Sequence, residues 1–373
     1  MHLFQFELKK MISGNLSKIL MLFGLLLSVF FTCFIRLGTA YLYDDRSQDV
    51  RPVVGMEIVG LAQEFAEQIP KNLDEKTFHQ YVKEYYEIIN KPQNYVNGVK
   101  AGISDLKPEI RFGKLNEFSP VSYYISSASP DGTNIKKLKN IIPYAAHFTF
   151  GWTGGLGEIL VSANGWVGLI ISILIITGIS PVFSYEKETG MNQLIDVSKY
   201  GRTKSVAAKI KGAFFYSFSI FNVITSVNII GHLIVWRGGN GKAAIQMNPS
   251  FAEYEAGINF NEIIFLSVGL ILIGILLLTA TGLLISMLCK NKFSSITIFS
   301  VLFLCSYLLS VFLPVKLYKW ILFLPTSLLR PLQYFEKLEY YNLIKFIGPA
   351  GLFISVVIPV LLYEYYVQKL KVL

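Results

Sequence analysis

The chain has 373 residues, 53% hydrophobic and 16% charged, with a mean hydropathy of +0.48. That composition excludes a disordered chain and an ordinary soluble domain, and points to an all-α polytopic membrane protein. The net charge of +9 does not signal nucleic acid, because residues 36–158 hold 14 basic and 15 acidic side chains. The surplus therefore lies beside the apolar runs, where it serves topology and lipid headgroups.

Residues 1–16 open the chain with Phe4, Leu8 and Met11 on one helical stripe and Lys9 and Lys10 off it. This spacing predicts a short interfacial helix, broken by Gly14-Asn15 before the first span. Six apolar runs approach the roughly 20 residues that a bilayer requires. They are placed at 17–37, 160–182, 213–235, 263–288, 294–315 and 344–366.

Residues 38–159, between the first two runs, form a large, mainly helical domain expected to be extracellular. Within it, Pro52–Gln68 and Asp74–Asn90 carry apolar residues at helical spacing. Pro92–Leu106 is a weaker third helix. Residues 107–134 are read as loop with a strand or two, and Gly151–Gly157 as a flexible entry to the second span. Residues 316–343 are cut by Pro325 and Pro331 into pieces too short to span. They read as a broken re-entrant or interfacial segment, whose backbone needs cover from protein or water.

Orientation follows from Lys and Arg in the short segments. One side holds 13 of them, including Lys290 and Lys292 in the tight turn between the fourth and fifth runs. The other side holds six: Arg237, Lys242, Lys316, Lys319, Arg330 and Lys337. Both termini are accordingly expected in the cytoplasm, as an even number of spans requires. Trp152, Trp166, Trp236 and Trp320 fall near the outer ends of spans, as an aromatic belt would place them.

The search for chemistry excludes more than it finds. Gly238-Gly239-Asn240-Gly241-Lys242-Ala243 resembles a phosphate-binding loop, but Trp236 stands where its first glycine belongs and Ala243 where Ser or Thr must follow. A turn is the better reading. There is no HExxH, and Cys33, Cys289 and Cys305 form no metal or disulfide pattern. They read as small apolar residues of the spans. No catalytic residue and no metal site is expected, and no carboxylate sits at a span centre. Asn222, Thr225, Asn228 and His232 lie in the third span. They could mark a substrate path, or serve as interhelical glue worth about 1 kcal/mol per contact.

The remaining element is the connection 183–212, FSYEKETGMNQLIDVSKYGRTKSVAAKIKG. It carries six basic residues, Lys187, Lys199, Arg202, Lys204, Lys209 and Lys211, against Glu186, Glu188 and Asp196. Any cytoplasmic loop is charged, but the order of Phe183, Glu186, Glu188, Gly190, Leu194, Ser198, Arg202 and Lys209 is more particular. It resembles the connection between the second and third spans of ABC-2-type permeases, the membrane subunits of ATP-driven transporters. The amphipathic start and the broken segment before the last span are similar to that family too.

The resemblance implies a bacterial plasma-membrane export subunit, with Gram-positive bacteria the expected source. It implies no ATPase site of the chain's own; ATP and Mg would bind a cytoplasmic ABC ATPase subunit. A second permease subunit, identical or paralogous, would complete the path for a peptide, lipid or drug-like substrate. Glu186, Glu188, Gly190, Arg202 and Lys209 would couple the chain to the ATPase. An ABC-linked sensor or resistance module, whose external domain binds a peptide or antibiotic without bulk transport, remains the alternative. A membrane scaffold without an ATPase is a weaker third.

Overall fold

The computed structural model describes residues 3–35, 39–44, 49–57, 152–198, 201–245, 257–312, 322, 324–335 and 342–369, with scattered positions between 59 and 100. Expectations for 107–134 and Trp320 lie outside the described residues. The chain divides into two compact units. One comprises Met1–Val29, Val161–Ile229 and Leu266–Leu373; the other comprises Phe30–Leu160 and Ile230–Phe265.

Five helical stretches are long and apolar enough to cross a membrane: 154–188, 203–235, 260–288, 292–309 and 344–365. They are consistent with a multi-pass membrane protein. The first apolar run differs from the rest. Helix α1 (Leu3–Ser13) and helix α2 (Asn15–Phe30) meet at a 66° bend, and α2 ends in a π turn, Phe31–Ile35. The break falls at Gly14, as the Gly-Asn pair predicts.

In the second unit, strand β1 (Thr39–Asp44) pairs antiparallel with β2 (Asp49–Val54), and β3 (Tyr95–Val96) with β4 (Val99–Lys100). Two helical expectations are corrected here. Pro52–Val54 belong to a strand, and helix begins only at Met56. Val50, Val53 and Val54 suit a pleated surface better than a helix, and Pro52 can sit in a strand that needs no N–H from it. Within the expected third helix, the described residues are the β3–β4 pair. Asn97-Gly98 lies between those strands and is a strong hairpin signal in sequence. The described positions between Asp74 and Asn90 are helical, as expected.

Gly151–Gly157 also departs from expectation, since helix α3 (Gly154–Ser162) begins inside it. Trp152 holds this start in place. Its indole Nε1 donates to the Trp236 carbonyl at 2.9 Å, its own carbonyl accepts from Asn240 N at 2.7 Å, and Gly155 N donates to the Gly238 carbonyl at 3.1 Å. The glycine-rich run near 240 is thus a turn, with Gly238 in the left-handed region at φ 74.

The first unit is built from the long helices. A π turn (Ala163–Val167) links α3 to α4 (Gly168–Ile179), and Pro181 then starts α5 (Pro181–Glu188). A proline here disrupts the ladder of helical hydrogen bonds. Ser286 restores it from another helix: its Oγ accepts from Phe183 N at 2.9 Å and Ser184 N at 3.3 Å, and donates to the Ser180 carbonyl at 2.6 Å. A short helix, α6 (Met191–Val197), precedes α7 (Val206–Val235).

Helix α8 (Phe260–Leu288) opens with a reciprocal cap: Asn259 N donates to Glu262 and Glu262 N to Asn259, both at 3.0 Å. Helix α9 (Lys292–Phe312) follows the tight turn, with Asn291 Oδ1 accepting from Ser294 N at 2.7 Å.

The broken segment forms two short helices, α10 (Pro325–Leu328) and α11 (Leu332–Phe335). Both are buried. Protein therefore covers this backbone, because glycines admit it. A Cβ on Gly168 would stand 2.6 Å from the Leu329 carbonyl oxygen, and one on Gly274 would stand 2.9 Å from Leu328 Cβ. Gln333 Nε2 donates to the Ser327 carbonyl at 2.7 Å and Tyr334 OH to the Leu322 carbonyl. Helix α12 (Ile344–Lys369) ends the described chain. Cys289 is buried and Cys305 exposed, both as free thiols.

Candidate functional site

Glu186 is the centre of the connection. It lies on α5 at 4% exposure, and each carboxylate oxygen accepts from a different lysine. Lys10 of α1 donates to Oε1 at 2.7 Å, and Lys209 of α7 to Oε2. Lys209 is 2% exposed and also stands 5.3 Å from the centre of the Phe183 ring. A buried charge persists only with compensation on this scale. Glu186 therefore ties three helices together at one point.

Glu7 of α1 completes the cluster at 4% exposure. Burial pushes its carboxyl above the ordinary value of 4.5; Lys209 and Lys10 pull against that, and Glu186 adds to it. The four groups would balance as two carboxylates and two ammoniums. Burial disfavours the charged form of Glu7, the carboxylate of the cluster for which no direct ion pair appears among the described residues.

The next turn fastens α5 to the α8–α9 junction. Lys187 Nζ donates to the carbonyls of Met287 and, at 3.4 Å, Cys289, the open end of α8. A cation there satisfies orphan carbonyls and favours the helix dipole. Glu188 Oε2 accepts from Lys292 N at 2.9 Å, at the start of α9. Lys10 and Lys292 both approach the Tyr185 ring, at 5.8 and 5.9 Å.

Gly190 then adopts φ 70 and ψ 0, the left-handed conformation that glycine accepts at no steric cost. It turns the chain into α6, whose Met191, Leu194 and Val197 are 45%, 72% and 79% exposed. Leu194 and Val197 are among the most exposed large apolar side chains described. Gly201–Ser205 forms a π turn containing Arg202.

Of the residues expected to couple, Glu186 and Lys209 thus touch directly. Glu188 sits two residues on, against α9, and Gly190 supplies a backbone conformation rather than a contact. The sequence reading missed Glu7, Lys10, Lys187 and Ser286. The spacing sets Lys10 off the apolar stripe of α1 and gives Glu7 no role. The stripe Phe4, Leu8, Met11 extends in the structure to Glu7, one turn before Met11. Gly212 of α7 faces α1: a Cβ there would make ordinary contact with Met11 Cε, at 3.4 Å. Phe4 packs edge-on against Phe215 at 5.7 Å.

The polar residues of α7 divide. Asn228 is buried, and its amide exchanges hydrogen bonds with Ser162 Oγ at 2.7 and 3.1 Å. Thr225 and His232 are buried as well. Asn222 is exposed, and its Nδ2 donates to the Phe218 carbonyl at 2.7 Å. The four do not converge on one surface. Among the described residues, no group of three or more His, Cys, Asp or Glu side chains is placed to hold a metal ion.

No protein-family model, no curated protein and no solved structure matches the chain.

Proposed function

We propose that the chain is the permease subunit of an ATP-driven exporter of the ABC-2 type. The observation that carries the proposal is α6. It is a short helix with an apolar face open to solvent, set on a glycine hinge and tied to the long helices. Glu186 holds its base to α1 and α7, Lys187 to α8, and Glu188 to α9. A partner that seats Leu194 and Val197 in a groove would therefore move four helices together. A free loop would transmit nothing.

In this reading α2 supplies a sixth span and α1 lies in the inner interface. Both termini, α6 and the α8–α9 turn face the cytoplasm of a bacterial plasma membrane. Residues 38–159 face outward. The partner at α6 is an ABC ATPase subunit that binds ATP and Mg, and a second permease subunit completes the translocation path. The chain itself catalyses no reaction.

Purification from native membranes in mild detergent is expected to recover a nucleotide-binding subunit. Recovery of none overturns the proposal. Leu194→Asp leaves the charge cluster intact, so it should preserve insertion while abolishing that recovery. Full recovery with Leu194→Asp would move the docking surface elsewhere.

A further inference from the structure

One groove lies outside the charge cluster. Helix α1 contributes Leu8 and Ile12, α2 contributes Met21 and Leu25, and α7 lines it between residues 215 and 224. All of it belongs to the first unit. Phe4 braces one wall by packing edge-on against Phe215 at 5.7 Å, yet Phe215 keeps 50% of its surface open. Val223 is exposed as well, whereas Tyr216, Ile220 and Ile224 form a buried floor. The groove therefore opens sideways rather than into the bundle.

Its lining offers no free donor. The Tyr216 hydroxyl donates to the Leu174 carbonyl at 3.2 Å, and the Ser219 hydroxyl to the Phe215 carbonyl at 2.8 Å. The volume is about 300 Å³. From residue 215 to 224 the α7 side runs roughly 14 Å, close to the hydrocarbon depth of one leaflet. A space that long and that small is a slot for one extended chain, and a helix, about 10 Å across, does not enter it. Charge marks one end. On α2, Lys18, Met21 and Leu25 follow i, i+3, i+7; on α7, Lys211, Phe215 and Ser219 follow i, i+4, i+8. Each lysine thus continues a lining stripe past its apolar residues. Both are exposed, and among the described residues neither forms an ion pair.

We propose that this groove holds one acyl chain of an anionic phospholipid, with Lys18 and Lys211 on its headgroup phosphate. An acyl chain already in hydrocarbon gains little from apolar burial, because lipid tails are as apolar as the groove. The slot by itself would not select one lipid from the bilayer. The two unpaired cations at its end do, through charge-assisted hydrogen bonds that a neutral or cationic occupant does not offer. The lipid is a resident ligand that bridges α2 and α7 beside α1, not a cargo. The inference rests on α1 and α2 as membrane-embedded helices and requires no ATPase subunit.

The test uses the full chain in mild detergent with phosphatidylglycerol or phosphatidylcholine, each carrying a diazirine in one acyl chain, and counts retained lipid by native mass spectrometry. The wild type should retain one phosphatidylglycerol, hold phosphatidylcholine several-fold more weakly, and be photolabelled within 21–25 or 215–224. Lys18→Gln and Lys211→Gln should each weaken retention of phosphatidylglycerol about 5-fold, and Lys290→Gln, in the α8–α9 turn, should not. Ile220→Trp fills the floor and should abolish the labelling with both lysines in place. Equal retention of the two lipids means bulk annular lipid and overturns the proposal. So does labelling that survives Ile220→Trp, and so does displacement by inorganic phosphate, which would put a free anion rather than a lipid on the lysines. The lysine variants change only exposed side chains, so unchanged retention in both overturns it even where Ile220→Trp fails to fold. Absence of lipid selectivity with the nucleotide-binding subunit still recovered overturns only this inference, and the reverse result overturns only the proposed coupling.

Discussion

The helix ends near Glu186 and the helix centres near Asn228 solve the same problem with different chemistry. Both bury polar groups where water is scarce. At the ends, Glu186 is held by two lysines from two other helices, and Glu7 lies beside them. At the centres the groups are neutral: Ser162 with Asn228, and Ser217 with Thr279 at 2.7 Å. A buried ion must be compensated on every side, and its penalty grows with distance from water. A neutral pair needs only one partner. At the ends a broken contact therefore strands a buried charge, while the centres rely on contacts that are individually weak.

The largest test of that contrast removes one member of the ionic cluster. Lys209→Met leaves Glu186 buried with Lys10 alone and should destabilise the protein by about 3–5 kcal/mol. Glu186→Gln in the same chain should recover part of the loss. Unfolding in mixed micelles measures both, and a loss no larger than that of a neutral pair would erase the distinction. At the centre, Asn228→Leu should cost about 1 kcal/mol by the same measurement, since the lost contact is neutral. A cost as large as that of Lys209→Met would mean that Asn228 serves more than packing.

The smallest effect is a pH dependence of α1. The folded Glu7 carboxyl lies above its ordinary value of 4.5 because of burial. The folded state therefore binds the proton more tightly than the unfolded one. Docking of α1 is strongest below 4.5 and weakens as pH rises through the raised folded value. Glu186, Lys10 and Lys209 face the same carboxyl and modulate that window. Hydrogen exchange of residues 3–13 should speed up with rising pH, beyond the intrinsic rate, in the wild type. In Glu7→Gln the excess should vanish. An excess that persists would assign it to another group of the cluster.

The long apolar helices were legible in sequence because hydropathy reads a property each residue carries alone. The ends of α8, α9 and α12 fall within about three residues of expectation, inside the usual uncertainty of helix boundaries. The connection 183–212 was legible as a charged segment, and Gly190 as its likeness-bearing glycine. Its contacts were not legible, because Glu186 and Lys10 are 176 positions apart and no local pattern relates them. The helical count that begins at Pro52 takes in the end of the strand at 49–54, and the spacing assigns no element to 39–44. The pair at 95–100 was missed although Asn97-Gly98 marked it.

By itself the sequence determined a membrane-type composition, the apolar runs, the break at Gly14 and the concentration of cations at one set of helix ends. Each follows from side-chain solubility or backbone freedom, which are local. Only the tertiary structure decided that Glu7 is buried, that Ser286 mends the Pro181 break, and that Asn228 turns inward while Asn222 turns outward. Those outcomes depend on which helix lies opposite, and a buried polar group takes its cost from the partner it meets there.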